Sequence, residues 1–207
     1  MLPPKTRLAA ALIALCAALG VAAGFWAVNG RTGSGLKAAW IMLAYFTNFT
    51  GLLVSVVFAG IALGRPTFAT SWLVAGTALA TLLVGIVQRL LLHGLKPRQG
   101  GDLVADILLH QTVPVLVPLF WLAFLPKGRL GWRDPLLWAC YPLAYLGYAL
   151  LRGTLEARYP YPFLDAGRIG WGPVLAYAAA IAAAFLLVGG GIVALDRALA
   201  SRRAESR

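Results

Sequence analysis

Long apolar runs alternate with short polar connections along the whole chain. Apolar runs of about 20 residues are long enough to cross the roughly 30 Å hydrocarbon core of a bilayer. Membrane-spanning β-strands would instead appear as segments of about 10 residues with alternating polarity, a pattern that this sequence lacks. The runs predict an all-α polytopic membrane protein, a bundle of six transmembrane helices in a single domain of residues 1–207, with spans at about 8–29, 39–63, 70–92, 103–125, 135–151 and 172–195.

Composition supports the membrane class. Hydrophobic residues make up 60% of the chain and charged residues 12%, and the mean hydropathy is +0.79. Soluble domains carry about 25% charged residues. The net charge of +11 comes from basic residues at predicted helix ends and in loops, which favours contact with anionic lipid over nucleic acid. We therefore expect the lipid bilayer as a partner and no nucleic acid, metal or cofactor, whereas the oligomeric state stays open.

The distribution of basic residues bears on topology. The first apolar run resembles a secretory signal peptide, but it is long enough to span, and we interpret it as the first helix. Six spans place both termini on one side, which then carries ten of the eighteen Lys and Arg residues against eight on the other. The positive-inside rule places the termini in the cytoplasm. The short loops and the Ala-, Gly- and Arg-rich composition favour a bacterial inner membrane.

Two reactive side chains share a depth inside the predicted bundle. Thr47 is about nine residues into the second span, and His110 is about seven residues into the fourth, which starts at the same surface. At 1.5 Å per residue both lie roughly 10–14 Å below that surface. A hydroxyl becomes a nucleophile when an adjacent base takes its proton, and His110 is the base at matching depth, since His93 lies near a solvated helix end. Thr47 and His110 are therefore a candidate catalytic pair.

The sequence around His110 adds a carboxylate and a break in the helix. Asp106 precedes His110 by four residues, so both side chains lie on one helical face. A carboxylate there could orient the imidazole and stabilise its charged form, as the acid of a catalytic triad does. Pro114 follows His110 by four residues and opposes its carbonyl, which predicts a bend. Ionisable groups beside a bend are typical of helices that line a cavity.

Other polar and aromatic residues converge on the same surface. Asn48 is a candidate oxyanion donor, and Arg89 or Arg152 could hold a substrate carboxylate, because arginine pairs with carboxylates bidentately. The loop ARYPYPFLDAG contains two prolines that favour extended backbone. We expect it to cover the mouth of the cavity, with Tyr161 and Phe163 in contact with substrate and Phe163 or Leu164 pointing inward. A loop that lies flat on the lipid is the alternative.

Three stretches, YFTNF, LHQTVPVLVP and ARYPYPFLDAG, occur in an order and spacing that resemble the androgen-induced-gene family. Members of that family are multi-pass membrane threonine hydrolases that cleave fatty acid esters of hydroxy fatty acids. The resemblance covers about residues 40–170 and implies that Thr47 and His110 are the catalytic pair. The role of Asp106 as orienter is inferred from this chain alone. The resemblance thus implies a bacterial six-helix member and a carboxylic ester hydrolase acting on a fatty acyl substrate.

A small-solute transporter or channel is the alternative function. A bent helix with polar groups at depth would suit a solute path as well as a catalytic cavity. Such a path needs polar groups reachable from both sides of the membrane, whereas the cytoplasmic halves of the predicted helices look apolar. The sequence favours a lipid ester hydrolase whose substrate enters from one leaflet.

Overall fold

The computed structural model describes residues 2–92, 94 and 98–205, and helix is the main secondary structure. Helices account for 84% of the structure, and no strand occurs within the described ranges, which confirms the all-α class. Two π-helical turns, Gln88–Leu92 and Ile107–Thr112, extend or interrupt helices. The α-helices are α1 (Pro4–Thr32), α2 (Gly35–Met42), α3 (Phe46–Ala62), α4 (Ser71–Val87), α5 (Gly100–Asp106), α6 (Val113–Phe124), α7 (Asp134–Glu156), α8 (Ala166–Ile169) and α9 (Trp171–Glu205).

Several helical stretches are long and apolar enough to cross a bilayer. Within the described residues there are four: Pro4–Thr32, Ser71–Leu92, Gly100–Phe124 and Trp171–Arg202. The bent pair α2–α3 adds a fifth if it counts as one span. The helix α7 covers the predicted span 135–151 but is not among them, because its tyrosines and Arg152 lower its hydropathy. The fold is compatible with a membrane protein, and the count of six spans stays a prediction.

The predicted span 39–63 is not one regular helix, because the chain bends by 96° between α2 and α3. Two tyrosines of α7 bind the backbone that the break leaves without helical partners. The Tyr145 hydroxyl donates to the Ala44 carbonyl at 2.6 Å, and the Tyr148 hydroxyl donates to the Leu43 carbonyl at 3.0 Å. A helix break inside a bundle is stable only when its carbonyls are satisfied in this way. The helix α3 therefore begins inside the fold, and Thr47 belongs to its first turn.

The helices pack around a core that lies beyond this first turn. The helix α1 packs along α3 and α5, α4 packs along α6, and α7 packs along α9. Mainly apolar side chains occupy the half of the bundle between Thr47 and the C-terminal ends of α3 and α6, and the buried Asp196 carboxylate there accepts from the N–H groups of Arg129 and Leu130. Among the fully buried members of this core are Val54, Phe58, Ile61, Val74, Val117 and Trp121.

Candidate catalytic site

The structure brings Thr47 and His110 into direct contact. Thr47 Oγ1 lies 3.2 Å from His110 Nε2, and both side chains are partly buried. This is hydrogen-bond range for a hydroxyl and an imidazole nitrogen. The helix break that starts α3 places Thr47 at this position, and a π-helical turn places His110. A base is thus positioned to accept the hydroxyl proton.

The π-helical turn Ile107–Thr112 carries His110, and Pro114 follows this histidine by four residues. Because proline has no N–H, Pro114 cannot donate to the His110 carbonyl, and the regular α-helical ladder is interrupted there. The turn lies against Gly85 of α4. A Cβ atom on Gly85 would be 3.1 Å from Pro114 Cβ and 3.4 Å from the His110 carbonyl oxygen. Only a small residue at position 85 lets the two helices approach this closely, and π-turns occur often at functional sites.

Asp106 lies behind the histidine, as its four-residue spacing predicts. Asp106 Oδ1 is 2.8 Å from His110 Nδ1, and the side chains of the two residues are only 15% and 16% exposed. The ring N–H does not point at the carboxylate, so the close contact is not an aligned hydrogen bond. Catalytic hydrogen bonds are often poorly aligned in an empty site and tighten when substrate binds. The same Asp106 oxygen forms an ion pair with Arg98, which our sequence interpretation did not include.

Tyr161 contributes a third hydroxyl to the site. Its oxygen accepts a hydrogen bond from the Phe46 N–H at 3.0 Å, and its side chain is buried. Burial raises the pKa of the Tyr161 phenol to about 12, although the neighbouring Thr47 hydroxyl and Phe46 N–H act in the opposite direction. Tyr161 therefore keeps its proton at neutral pH. The Phe163 ring stacks on the Tyr161 ring at a centroid distance of 5.1 Å and an angle of 4°.

Two cavities of different character meet at these residues. An apolar cavity of about 250 Å³ lies between α4, α7 and α9. A polar cavity of about 820 Å³ lies between α1, α2, α5 and the 158–168 loop. Phe163 and Leu164 both line the apolar cavity, so the loop forms a wall with these side chains directed inward. The residues common to both cavities form a shared wall: Thr47, Gln88, Leu92, His110 and Tyr161.

Charged side chains surround the polar cavity. Arg31 forms an ion pair with Asp102, and Arg98 forms one with Asp106. Within the described ranges Arg158 and Arg168 form no ion pair, although both line this cavity. An anionic group in the polar cavity could therefore be met by the guanidinium groups of Arg158 and Arg168.

The structure contradicts the substrate-binding role that the sequence suggested for Arg89 and Arg152. Arg89 is exposed on its π-helical turn and lines neither cavity. Arg152 Nε binds Glu156 Oε1 at 2.9 Å, and its guanidinium lies 4.2 Å from the centre of the Trp40 ring. These contacts, together with a 3.0 Å hydrogen bond from Nη1 to the Tyr148 hydroxyl, direct Arg152 away from the cavities. Neither arginine is placed to hold a substrate carboxylate.

Asn48 has a structural contact in addition to its place in the polar cavity wall. Its Nδ2 group donates to the Met42 carbonyl at 2.8 Å, across the break between α2 and α3. Part of its donor capacity therefore stabilises the break, which weakens the expectation of an oxyanion donor. His93, which we expected at a solvated helix end, lies outside the described residues.

No protein-family model, curated protein or solved structure matches this chain. The geometry of the site is therefore the basis for its interpretation. In the part of the chain that the structure describes, no group of three His, Cys, Asp or Glu side chains could hold a metal ion. Thr47, His110 and Asp106 supply the hydroxyl, base and carboxylate that nucleophilic acyl transfer uses.

Proposed function

We propose that this protein is an integral-membrane carboxylic ester hydrolase that cleaves fatty acyl esters, with Thr47 as nucleophile and His110 as base. One observation carries the proposal. The 3.2 Å contact between Thr47 Oγ1 and His110 Nε2 lies in the wall that an apolar and a polar cavity share. An acyl ester has an apolar chain on one side of its carbonyl and a more polar group on the other, and it matches that pair of cavities.

The first half of the reaction forms an acyl-enzyme. His110 Nε2 takes the Thr47 proton while Thr47 Oγ1 bonds to the ester carbonyl carbon, giving a tetrahedral intermediate with a negatively charged oxygen. The intermediate collapses as the bond from carbon to the alcohol oxygen breaks, and the protonated His110 gives its proton to that oxygen. The alcohol leaves, and the acyl group remains on Thr47.

The second half consumes water and restores the enzyme. A water molecule from the polar cavity gives a proton to His110 Nε2 and bonds to the acyl carbon. The bond to Thr47 Oγ1 then breaks, the threonine regains the proton, and the fatty acid is released. Asp106, 2.8 Å from Nδ1, favours the tautomer with its proton on Nδ1 and stabilises the imidazolium that forms twice per cycle.

The substrate class rests on the cavities and on the sequence resemblance. The apolar cavity suits the acyl chain, and the polar cavity suits a leaving group with a negative charge near Arg158 and Arg168. Fatty acid esters of hydroxy fatty acids have both features, and they are the substrates of the androgen-induced-gene family that the chain resembles. In this proposal the protein is a bacterial six-helix member with cytoplasmic termini in the inner membrane, and the substrate enters from one leaflet.

The packing of the bundle favours this proposal over a transporter or channel. A solute path would have to continue from the site toward the other side of the membrane. Buried apolar residues such as Val54, Phe58 and Trp121 fill that half of the bundle. Among the described residues, only the apolar cavity continues beyond His110, toward Leu136 in the first turn of α7, and its mainly apolar lining suits an acyl chain better than a polar solute.

Labelling with a fluorophosphonate probe tests the proposal. The purified protein should hydrolyse a long-chain acyl ester, and mass spectrometry should locate the probe on Thr47. Thr47→Val should abolish both, because it removes the hydroxyl and keeps the shape. Thr50→Val is the matched control, since Thr50 lies one turn further along α3 and its hydroxyl contacts Tyr141 at 3.2 Å. Full hydrolysis by Thr47→Val, or labelling of another residue, would contradict the proposal.

A further inference from the structure

The Tyr161 hydroxyl is held next to the proposed nucleophile by the backbone of α3. Its oxygen accepts from the N–H of Phe46, the residue that directly precedes Thr47. A phenol hydroxyl has one proton to donate and separate lone pairs that accept. Since the Phe46 N–H occupies a lone pair, the proton of Tyr161 stays available for another acceptor.

The surroundings limit where that proton can point. The side chain is buried in the wall that the two cavities share, and protein hydroxyls lie beside it. The neighbouring hydroxyls belong to Thr47 and Tyr145. Tyr145 already donates its own proton to the Ala44 carbonyl at 2.6 Å. The donor proton of Tyr161 therefore faces a small group of oxygen atoms that includes the proposed nucleophile.

A second donor lies in the same place. The first N–H groups of a helix have no partner within the helix, and they form its positive end. In the first turn of α3, the Phe46 N–H binds Tyr161 and the Asn48 N–H binds the Tyr45 carbonyl at 3.1 Å. The Thr47 N–H has no hydrogen-bond partner among the described residues. It belongs to the residue whose side chain would attack.

We propose that the Tyr161 hydroxyl and the Thr47 backbone N–H form the oxyanion site, with Tyr161 as a further catalytic residue. The negative oxygen of the tetrahedral intermediate is attached to the carbon that Thr47 Oγ1 has bonded, so it lies beside Thr47. Two donors already fixed there stabilise this charge without reorganisation. The inference rests on the proposed hydrolase function and assigns to Tyr161 the role that the sequence suggested for Asn48.

Tyr161→Phe tests the assignment, with Tyr148→Phe as matched control. Both variants remove one phenol hydroxyl near the α2–α3 break, and Tyr148 binds the Leu43 carbonyl outside the two cavities. Loss of one oxyanion donor typically lowers kcat by about 10²–10³. We expect a loss of that size for Tyr161→Phe, with little change in KM and slower fluorophosphonate labelling. Tyr148→Phe should keep kcat within a few-fold of the wild type.

A fluorinated tyrosine at position 161 provides a test that preserves the fold. It keeps the shape of the side chain but makes the hydroxyl more acidic. If Tyr161 donates to the oxyanion, the alkaline limb of the kcat profile should move to lower pH, because the donor loses its proton sooner. The same replacement at position 148 should leave the profile unchanged.

The outcomes separate this inference from the proposed function. If the wild-type protein hydrolyses esters through Thr47 but Tyr161→Phe has full kcat, the oxyanion assignment is overturned and the hydrolase proposal stands. Equal losses of kcat in Tyr161→Phe and Tyr148→Phe would also overturn the oxyanion assignment, and so would an alkaline limb that does not move with fluorinated tyrosine. Either result would indicate that the Tyr161 hydroxyl only stabilises the helix break. If the wild-type protein neither hydrolyses esters nor is labelled at Thr47, both the hydrolase proposal and the oxyanion assignment are overturned.

Discussion

Thr47 Oγ1 lies 3.2 Å from His110 Nε2, although 63 residues of chain separate the two. The contact depends on two local departures from a regular helix, the break before α3 and the π-helical turn around His110. The break is stabilised by Tyr145 and Tyr148 of α7, and the π-helical turn packs against Gly85 of α4. The contact between Thr47 and His110 therefore forms only in the assembled fold. Replacing either residue should lower the rate of hydrolysis more than it lowers the free energy of unfolding.

Removing either member of the pair should abolish ester hydrolysis. Thr47→Ala eliminates the nucleophile and His110→Ala eliminates its base, so the double variant should be little worse than either single one. Initial rates with a long-chain ester and fluorophosphonate labelling measure this outcome. Both variants should unfold near the wild-type temperature in detergent. Additive losses in the double variant would show that the two residues act independently.

Asp106→Asn should give an intermediate rate. The amide can still orient the imidazole but does not stabilise its positive charge, and the equivalent change in serine proteases lowers kcat by about 10⁴. We expect kcat below that of the wild type and above that of His110→Ala. Asp134→Asn, at the far end of α7, is the control, because the Asp134 carboxylate lies outside both cavities and accepts from the Gly131 N–H at 2.8 Å. Unchanged turnover in Asp106→Asn would rule out a role in catalysis.

Tyr161 should make the protein less stable in alkali. An unperturbed tyrosine has a pKa of about 10, whereas burial raises the pKa of Tyr161 to about 12. Between these values the folded state holds a proton that the unfolded state has lost, so the free energy of unfolding falls as the pH rises. At 1.36 kcal/mol per pKa unit, the loss is about 2–3 kcal/mol. Thermal unfolding across this range should show it for the wild type and Tyr148→Phe, and a weaker dependence for Tyr161→Phe.

Filling the apolar cavity should select for shorter acyl chains. Ala182 of α9 lines that cavity, whereas its neighbour Ala183 is exposed on the outer face of the same helix. Ala182→Phe should raise KM for long-chain esters and change it less for short ones, because the ring occupies space that the chain needs. Ala183→Phe adds the same side chain outside the cavity and should behave as the wild type. If both variants had the wild-type KM at every chain length, the acyl chain would have to bind outside this cavity.

Phe163→Ala distinguishes a cavity wall from a lipid anchor. Phe163 lines the apolar cavity and stacks on Tyr161. If the loop contacts substrate, the variant should change the ratio of kcat/KM between long and branched acyl esters. Trp132→Ala is the control, since Trp132 is an exposed aromatic residue at the other end of α7. An effect on expression or stability alone, equal in both variants, would identify the loop as an anchor.

The contact between Asp106 and His110 could be predicted, because a four-residue spacing places both side chains on one helical face. The sequence also predicts the pairing of Thr47 with His110, but from a depth that assumes a continuous second helix, and the break before α3 removes that assumption. The ion pair between Arg152 and Glu156 has the four-residue spacing too, so the sequence contained the signal that Arg152 is engaged within its own helix. Local periodicity is reliable where an interaction stays within one helix.

The helix break and the role of Arg98 could not be predicted in this way. The segment LAY at 43–45 contains no proline or glycine, and its backbone is held by Tyr145 and Tyr148, about 100 residues further along the chain. Arg98 precedes the start of α5 at Gly100, so helical spacing does not connect it with Asp106. Both features depend on which helices become neighbours, and residue spacing along the sequence does not reveal those contacts.

The wall between the two cavities separates two surroundings of different polarity. On one side of Thr47 and His110 the lining is almost entirely apolar, and on the other it includes the charged side chains of Arg31, Arg98, Arg158 and Arg168. An ester bound across the wall would keep its chain in a hydrocarbon-like medium while its carbonyl meets water. The lipid would then not have to leave the bilayer for hydrolysis, and water would not have to enter it. The acyl chain and the leaving group would therefore be bound in different surroundings during the same reaction.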